Sequence, residues 1–223
     1  MSIVNAEMET SGRIATTRVS RGSVRKRAFD LIAASALLLF LFPLMFFVAL
    51  VLFSFERGPV FFEHERIGYR GRRFRCLKFR SMVLNAREVL EEHLANNPAA
   101  RAEWDATQKL KDDPRITPIG RFLRETSLDE LPQLINVIRG DMSLVGPRPI
   151  VQAEVVRYAN DISYYESVRP GITGLWQVSG RSDVDYERRV KLDASYVENW
   201  SFLGDVLILL RTVQVVFSRA GSY

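Results

Sequence analysis

Apolar residues follow three different rhythms along this chain. From Leu31 to Phe55 they are continuous, and LIAASALLLFLFPLMFFVALVLFSF carries no charge over 25 positions. That run is long enough to span a bilayer. Its hydrophobic residues cover every helical face, unlike the single stripe of a soluble helix. It is too long for a signal peptide, and no small-residue cleavage site follows it. Pro43 sits in the middle behind bulky Phe42, where it removes a backbone hydrogen bond and kinks a helix. Short apolar runs then predict two strands, Val60 to Phe62 and Phe74 to Phe79, around the turn Gly68-Tyr69-Arg70-Gly71. Ala86 to Leu94 and Arg101 to Leu110 predict helices, separated by Asn96-Asn97-Pro98. Leu131, Leu134, Ile135 and Ile138 recur at i, i+3, i+4 and i+7, which predicts an amphipathic helix ending at Gly140. Tyr186 to Trp200 predicts a further helix. Phe202 to Phe217 predicts another, strongly apolar but interrupted by Asp205, Arg211 and Gln214. That last segment suits either a core helix or one lying in a membrane interface, with Arg211 and Arg219 reaching lipid phosphates.

Charge refines the reading of the apolar run. Arg21, Arg25, Lys26 and Arg27 precede it, and Arg57, Arg66, Arg70, Arg72, Arg73 and Arg75 follow it. The positive-inside rule places both flanks in the cytoplasm. A helix that dips in, breaks at Pro43 and returns satisfies this, while a single kinked span is the alternative. Residues 1–23 are polar and aperiodic and read as a disordered tail. The expected organisation is therefore a tail (1–23), a re-entrant membrane helix (24–56) and a cytoplasmic domain (57–223). The fold class is α+β and mainly helical, with a small β-hairpin and interfacial amphipathic helices.

The net charge is +5, and 26 of the 31 basic residues are arginine. Arginine makes planar, two-pronged contacts with phosphate, so the bias suits nucleic acid, anionic lipid or a phosphorylated substrate. Nucleic acid is disfavoured because no recognised binding motif is present. Cys76 is the only cysteine, which excludes an internal disulfide and a Cys-based zinc site. His64 and His93 are too few and too far apart for a histidine metal site. Asp112 and Asp113 are equally explained by a turn before Pro114.

The sharpest candidate chemistry lies in Ser127-Leu128-Asp129-Glu130-Leu131-Pro132-Gln133-Leu134. Two adjacent carboxylates open the amphipathic helix. At such a helix start, among cations, a carboxylate stays ionised and can attack a substrate or bind a metal. Ser127 with Glu130 three residues on also matches a capping box, so a structural role for Glu130 stays open. Lys78-Phe79-Arg80-Ser81-Met82 ends a predicted strand with two cations. Arg148 lies between Pro147 and Pro149 on a stiff segment suited to an anion clamp. Arg169 and Arg181 flank the glycine-bearing loop Pro170-Gly171-Ile172-Thr173-Gly174, and Arg124 precedes the acidic pair. Lys78, Arg80, Arg124, Arg148, Arg169 and Arg181 are thus the candidate phosphate-binding residues.

Taken in order, five features make the chain resemble the bacterial sugar transferases, monotopic polyprenyl-phosphate phosphoglycosyl transferases. They are the basic-flanked apolar segment with Pro43, Lys78 to Met82, Ser127 to Gln133, Gly140 to Pro149 and Arg169 to Arg181, within residues 24–223. The resemblance implies transfer of a sugar 1-phosphate from a UDP-sugar to undecaprenyl phosphate with release of UMP, the first membrane step of exopolysaccharide synthesis. It implies Asp129 as a nucleophile forming a phosphosugar–aspartyl intermediate, and Glu130 as metal ligand or proton acceptor. Mg²⁺ would bridge the diphosphate and the acidic pair Asp129 and Glu130. It also implies a re-entrant helix broken near Ser-Pro; here Phe42 replaces that serine while Pro43 remains. Asn97 to Thr117 and the ending Ser218 to Tyr223 resemble the branch using UDP-galactose or UDP-glucose, galactose being favoured, with a UDP-N-acetyl sugar as a further alternative. That branch often carries additional N-terminal membrane helices, and this sequence reads as close to the minimal catalytic unit. Expected partners are the UDP-sugar, undecaprenyl phosphate and membrane lipids, with a homodimer possible and no nucleic acid. The expected location is the bacterial inner membrane, catalytic domain on the cytoplasmic face. The competing class is a non-catalytic, membrane-anchored scaffold for anionic polymer.

Overall fold

A computed structural model describes the backbone of residues 4–107, 110–180 and 185–217. Helix α1 (Val4–Phe55) takes in the long apolar run with Pro43 inside it. It also extends back through residues 4–23. Val24–Phe55 is long and apolar enough to cross a membrane, and only 17% of its most apolar window is buried. A soluble core helix would be mostly covered. What is covered is one stripe: Ala34, Leu38, Leu41, Met45, Val48 and Leu52 pack against the rest of the protein. Their alternating spacing of four and three residues keeps them on one helical face. Leu39, Phe40, Phe53 and Phe55 stay exposed.

Both ends of the apolar part of α1 are fastened to the following domain. At its start, Arg27 donates to the carbonyls of Val137 and Ile138 at 2.6 and 3.0 Å. Asp30 accepts from Ser143 Oγ and from the Leu144 amide. Just past its end, Glu56 meets the buried Arg80, which also donates to the Glu56 carbonyl at 3.1 Å.

The predicted hairpin forms from β1 (Phe61–Ile67) and β2 (Arg73–Phe79), antiparallel, with Arg66 opposite Phe74 and Phe62 opposite Lys78. The first strand is longer than the three residues expected, because alternation of charged Glu63, Glu65 and Arg66 hides it from a search for apolar runs. Helices α2 (Ala86–Asn96) and α3 (Pro98–Thr107) follow. Helix α4 (Pro118–Glu125) starts where Thr117 Oγ1 accepts from the Gly120 amide. Helix α5 (Gln133–Arg139) ends at Gly140, whose φ of +96° is a left-handed cap. The buried Asn136 ties α5 to β2, accepting from the Leu77 amide at 2.9 Å and donating to the Arg75 carbonyl at 2.8 Å.

Beyond α5, β3 (Ser143–Val145) leads to the short helices α6 (Val155–Tyr158) and α7 (Ile162–Glu166). Strand β4 (Gly171–Thr173) then pairs in parallel with β3, a pairing the apolar pattern did not predict. Helices α8 (Tyr186–Glu198) and α9 (Phe202–Phe217) follow. In α9 the two readings of the sequence coexist. Ile208 and Asp205 are buried, while Leu203, Leu207, Leu210 and Val213 are exposed. Asp205 is held by Lys26 of α1 at 2.6 Å, by Tyr196 and by Trp200. The architecture is mostly helical with small two-stranded sheets.

Candidate active site

The acidic pair lies on a tight turn rather than on the first turn of α5. Ser127 adopts φ +58°, the left-handed region, and reverses the chain after α4. Leu128 to Glu130 form one 3₁₀ turn, and α5 begins only at Gln133, with Pro132 preceding it. The Ser127 side chain makes no capping bond, so the capping box matched by the sequence does not form. Proline is the physical reason: its missing N–H and fixed φ suit a position before the helix better than one inside it. Glu130 is thereby freed from its own backbone.

It faces β2 instead. Lys78 Nζ lies 2.7 Å from Glu130 Oε1 and 3.5 Å from Asp129 Oδ2. Arg148 Nη2 lies 3.8 Å from the same Glu130 oxygen. Asp129 is buried and Glu130 half-buried. Burial disfavours charge on Glu130, but Lys78 and Arg148 more than offset it and hold the carboxyl down to about 2. Asp129 moves the other way. Burial raises its pKa, the neighbouring Glu130 charge adds to this, and Lys78 and Arg124 oppose. Two adjacent carboxyls are thus pushed apart, which is how one fold assigns different duties to a pair.

The remaining candidates distribute unevenly. Arg124 donates from Nε to Ser81 Oγ at 2.9 Å and is close enough to Asp129 to favour its charge. Arg80 stands apart from Lys78. Strand β2 ends at Phe79, so the alternation that would have put both cations on one face no longer applies, and Arg80 turns to Glu56. Arg169 donates to the Gly140 carbonyl at 2.7 Å and lies over the Tyr69 ring, at the far end of α5. Arg181 lies outside the described residues.

Sequence reasoning passed over Arg66, Cys76 and Gln133, which line the same cleft as Lys78, Glu130 and Arg148. Arg66 donates to the Pro149 carbonyl at 3.2 Å and so braces the loop carrying Arg148. The signal was present in the hairpin register. Cys76 and Lys78 alternate on one face of β2, and Arg66 opposite Phe74 projects from that face too.

The structure thus brings a carboxylate pair together with a lysine and an arginine, in a chain whose first helix is long and apolar enough to cross a membrane. Comparison with known proteins gives the chain a family. Residues 21–219 match the family described as bacterial sugar transferase, and the chain belongs to it. It is 57% identical over 198 residues to a UDP-galactose-lipid carrier transferase of Erwinia amylovora, covering 89% of this chain and 41% of the relative. It is 54% identical over 198 residues, with the same coverage, to an undecaprenyl-phosphate galactose phosphotransferase of Salmonella typhimurium. The exopolysaccharide production protein ExoY of Rhizobium meliloti is 52% identical over 203 residues, covering 91% of this chain and 89% of that protein. The chain therefore spans about two fifths of the first two relatives and nearly all of the third.

Proposed function

We propose that this chain transfers a sugar 1-phosphate, with galactose 1-phosphate the favoured group, from a UDP-sugar to undecaprenyl phosphate in exopolysaccharide synthesis. The observation that carries the proposal is the cluster in which Lys78 reaches both Asp129 and Glu130 and Arg148 reaches Glu130, with Lys78, Glu130 and Arg148 lining one cleft. The names of the relatives support the acceptor and the galactosyl donor; UDP-glucose and UDP-N-acetyl sugars are the alternative donors.

In this mechanism an Asp129 carboxylate oxygen attacks the phosphorus that bears the sugar. The bond from that phosphorus to UMP breaks, and the electron pair leaves with UMP. An oxygen of undecaprenyl phosphate then attacks the same phosphorus, and the bond to Asp129 breaks, restoring the carboxylate. Asp129 must be ionised to attack, and Lys78 and Arg124 counter the burial that would neutralise it. Anionic nucleophile and anionic diphosphate repel each other, so Lys78, Arg148 and Arg66 supply the opposing charge. Glu130, held near 2, is a weak base. It serves better as a fixed anion than as a proton acceptor.

A magnesium ion fits these residues. No group of three His, Cys, Asp or Glu is gathered among the described residues, but Mg²⁺ commonly takes one or two carboxylates and completes its shell with substrate phosphate and water. Asp129 and Glu130 would hold it. When bound it would neutralise developing phosphate charge.

The membrane arrangement we propose is re-entrant, in the bacterial inner membrane with the catalytic domain on the cytoplasmic face. A perpendicular span would carry Glu56 across a hydrocarbon core about 30 Å thick from Arg27. Arg27 and Glu56 instead bind one and the same domain, and both flanks are basic.

The test is UMP release by the purified full chain given Mg²⁺, undecaprenyl phosphate and a panel of UDP-sugars. UMP is expected with UDP-galactose in the wild type and none with Asp129→Asn. Full transfer by Asp129→Asn removes the nucleophile assignment, and silence with every sugar removes the activity itself.

A further inference from the structure

A second basic site lies at the opposite end of α5 from the acidic pair. It is an open groove lined by Val24, Arg27, Ala28, Leu31 and Arg169. Arg27 caps the last carbonyls of α5 through Nη1 and Nη2. Arg169 spends Nε on Gly140 and stacks on Tyr69. Each guanidinium has five N–H donors, so these bonds leave several unused. The two cations lie close enough to oppose each other electrostatically. Asp30 and Asp141 lie near enough to favour the Arg27 charge, but their hydrogen bonds go to Ser143 and Leu144 and to Asn136. Neither arginine forms an ion pair among the described residues.

The other wall of the groove is the start of the membrane helix. Val24 is 78% exposed, Ala28 is exposed, and Ile32 beyond them is 72% exposed. A ligand that matches this groove carries an anionic phosphate at one end and a long apolar tail at the other.

We infer that the Arg27–Arg169 groove holds the phosphate of an anionic phospholipid, with its acyl chains laid along α1. The inference rests on the proposed membrane insertion of α1 but not on the transfer reaction. The occupant is a resident lipid and not the acceptor, because of distance. Seven residues of α5 at about 1.5 Å each separate the groove from the cleft, whereas reacting atoms must come within about 3–3.5 Å. Bound there, the lipid would fix the height of the catalytic domain at the bilayer surface, since the same two arginines hold the end of α5 whose start lies at the cleft.

Native mass spectrometry of the full chain in detergent micelles, titrated with phosphatidylglycerol or phosphatidylcholine, tests this. Wild type is expected to retain one phosphatidylglycerol in preference to phosphatidylcholine. Ala28→Glu puts a competing carboxylate in the groove at an exposed helix position. It should weaken that retention roughly tenfold, by the order of the electrostatic attraction of one or two basic residues for anionic lipid. Ala28→Gln, of equal size, should retain it, and so should Asp129→Asn, whatever its transferase activity. Equal retention of the two lipids, or full retention by Ala28→Glu, overturns the site. Displacement of the bound lipid by equimolar undecaprenyl phosphate, lost in Ala28→Glu, overturns the resident-lipid assignment in favour of the acceptor.

Discussion

Replacing Lys78 with methionine isolates the interaction on which the candidate site depends. The substitution keeps the length and apolar stem of the side chain and removes its charge. Lys78 Nζ is 2.7 Å from Glu130 and 3.5 Å from Asp129, and its side chain is only 24% exposed. In the wild type the Glu130 carboxyl falls from 4.5 to about 2. A carboxyl with a depressed folded-state pKa contributes stability that is fully present above its unfolded pKa and is lost as pH falls through the folded one. At about 1.4 kcal/mol per pH unit, the Glu130 shift corresponds to about 3 kcal/mol at neutral pH. Methionine removes the nearest lowering charge and leaves Arg148, 3.8 Å away, so most of that contribution is lost. Asp129, already raised by burial, rises further.

The decisive readout is therefore the pH dependence of the loss. Urea unfolding of the full chain in detergent should show Lys78→Met about 2–3 kcal/mol less stable than wild type at pH 7. The difference should shrink as pH falls from 5 toward 3, because the variant can protonate Glu130 there while the wild type still holds it ionised. A stability loss that stays constant over that range refutes the electrostatic account and assigns Lys78 to packing.

Three further substitutions separate the cleft from its supports. Arg148→Ala, at a side chain 43% exposed, should leave the melting temperature nearly unchanged and raise the apparent KM for UDP-sugar or undecaprenyl phosphate roughly tenfold; unchanged KM for both retires the clamp. Asn136→Ala strips a fully buried side chain from the Leu77 amide and the Arg75 carbonyl and should cost about 3 kcal/mol in urea unfolding. The buried Glu56 carboxylate accepts no hydrogen bond and has Arg80, 3.6 Å away, as its ion-pair partner; Arg80→Met leaves that charge uncompensated and should cost about 3 kcal/mol, adding Glu56→Leu should recover most of it in the same measurement, and no recovery refutes the pairing.

What the sequence made legible follows from whether a signal was local. Helices α8 and α9 were readable to within two residues because capping and apolar runs are local; Asp185 caps α8 by accepting from the Arg188 amide. The capping box put the first residue of α5 at Leu128, five residues before its actual start at Gln133. Ser127-x-x-Glu130 is a valid capping signal taken alone, and only Pro132 together with the left-handed Ser127 moves the helix start to Gln133. The parallel pairing of β3 with β4 was invisible, since each is three residues long and 28 positions separate Ser143 from its partner Gly171. Nothing local records such a partner, nor the close approach that Gly146 and Gly171 permit; a Cβ on Gly171 would stand 2.1 Å from the Gly146 nitrogen. The candidate site, cleft and acidic pair together, was half legible. Asp129, Glu130, Lys78 and Arg148 were named from motifs, whereas Arg66 and Gln133 enter only through the hairpin register and the turn before α5.

The arginine excess illustrates the same limit in energetic terms. Composition counts 26 guanidinium groups and suggests a single use for them, phosphate. The fold divides them according to what neutralises each. Arg115 is spent on the buried Asp113 at 2.6 Å, Arg80 on Glu56, and Arg124 on Ser81 and the field of Asp129; these hold loops in place. Arg66 and Arg148 face the cleft with only distant carboxylates, at 3.8 Å each, and oppose one another across it. Holding like charges together costs free energy, and an anion such as the diphosphate of the proposed donor would relieve that cost in addition to forming its own contacts. Cations left under-neutralised by the fold are therefore a better guide to an anion site than cations near a motif, and among the described residues that reasoning is what supports the phosphate roles proposed for the cleft and for the Arg27–Arg169 groove.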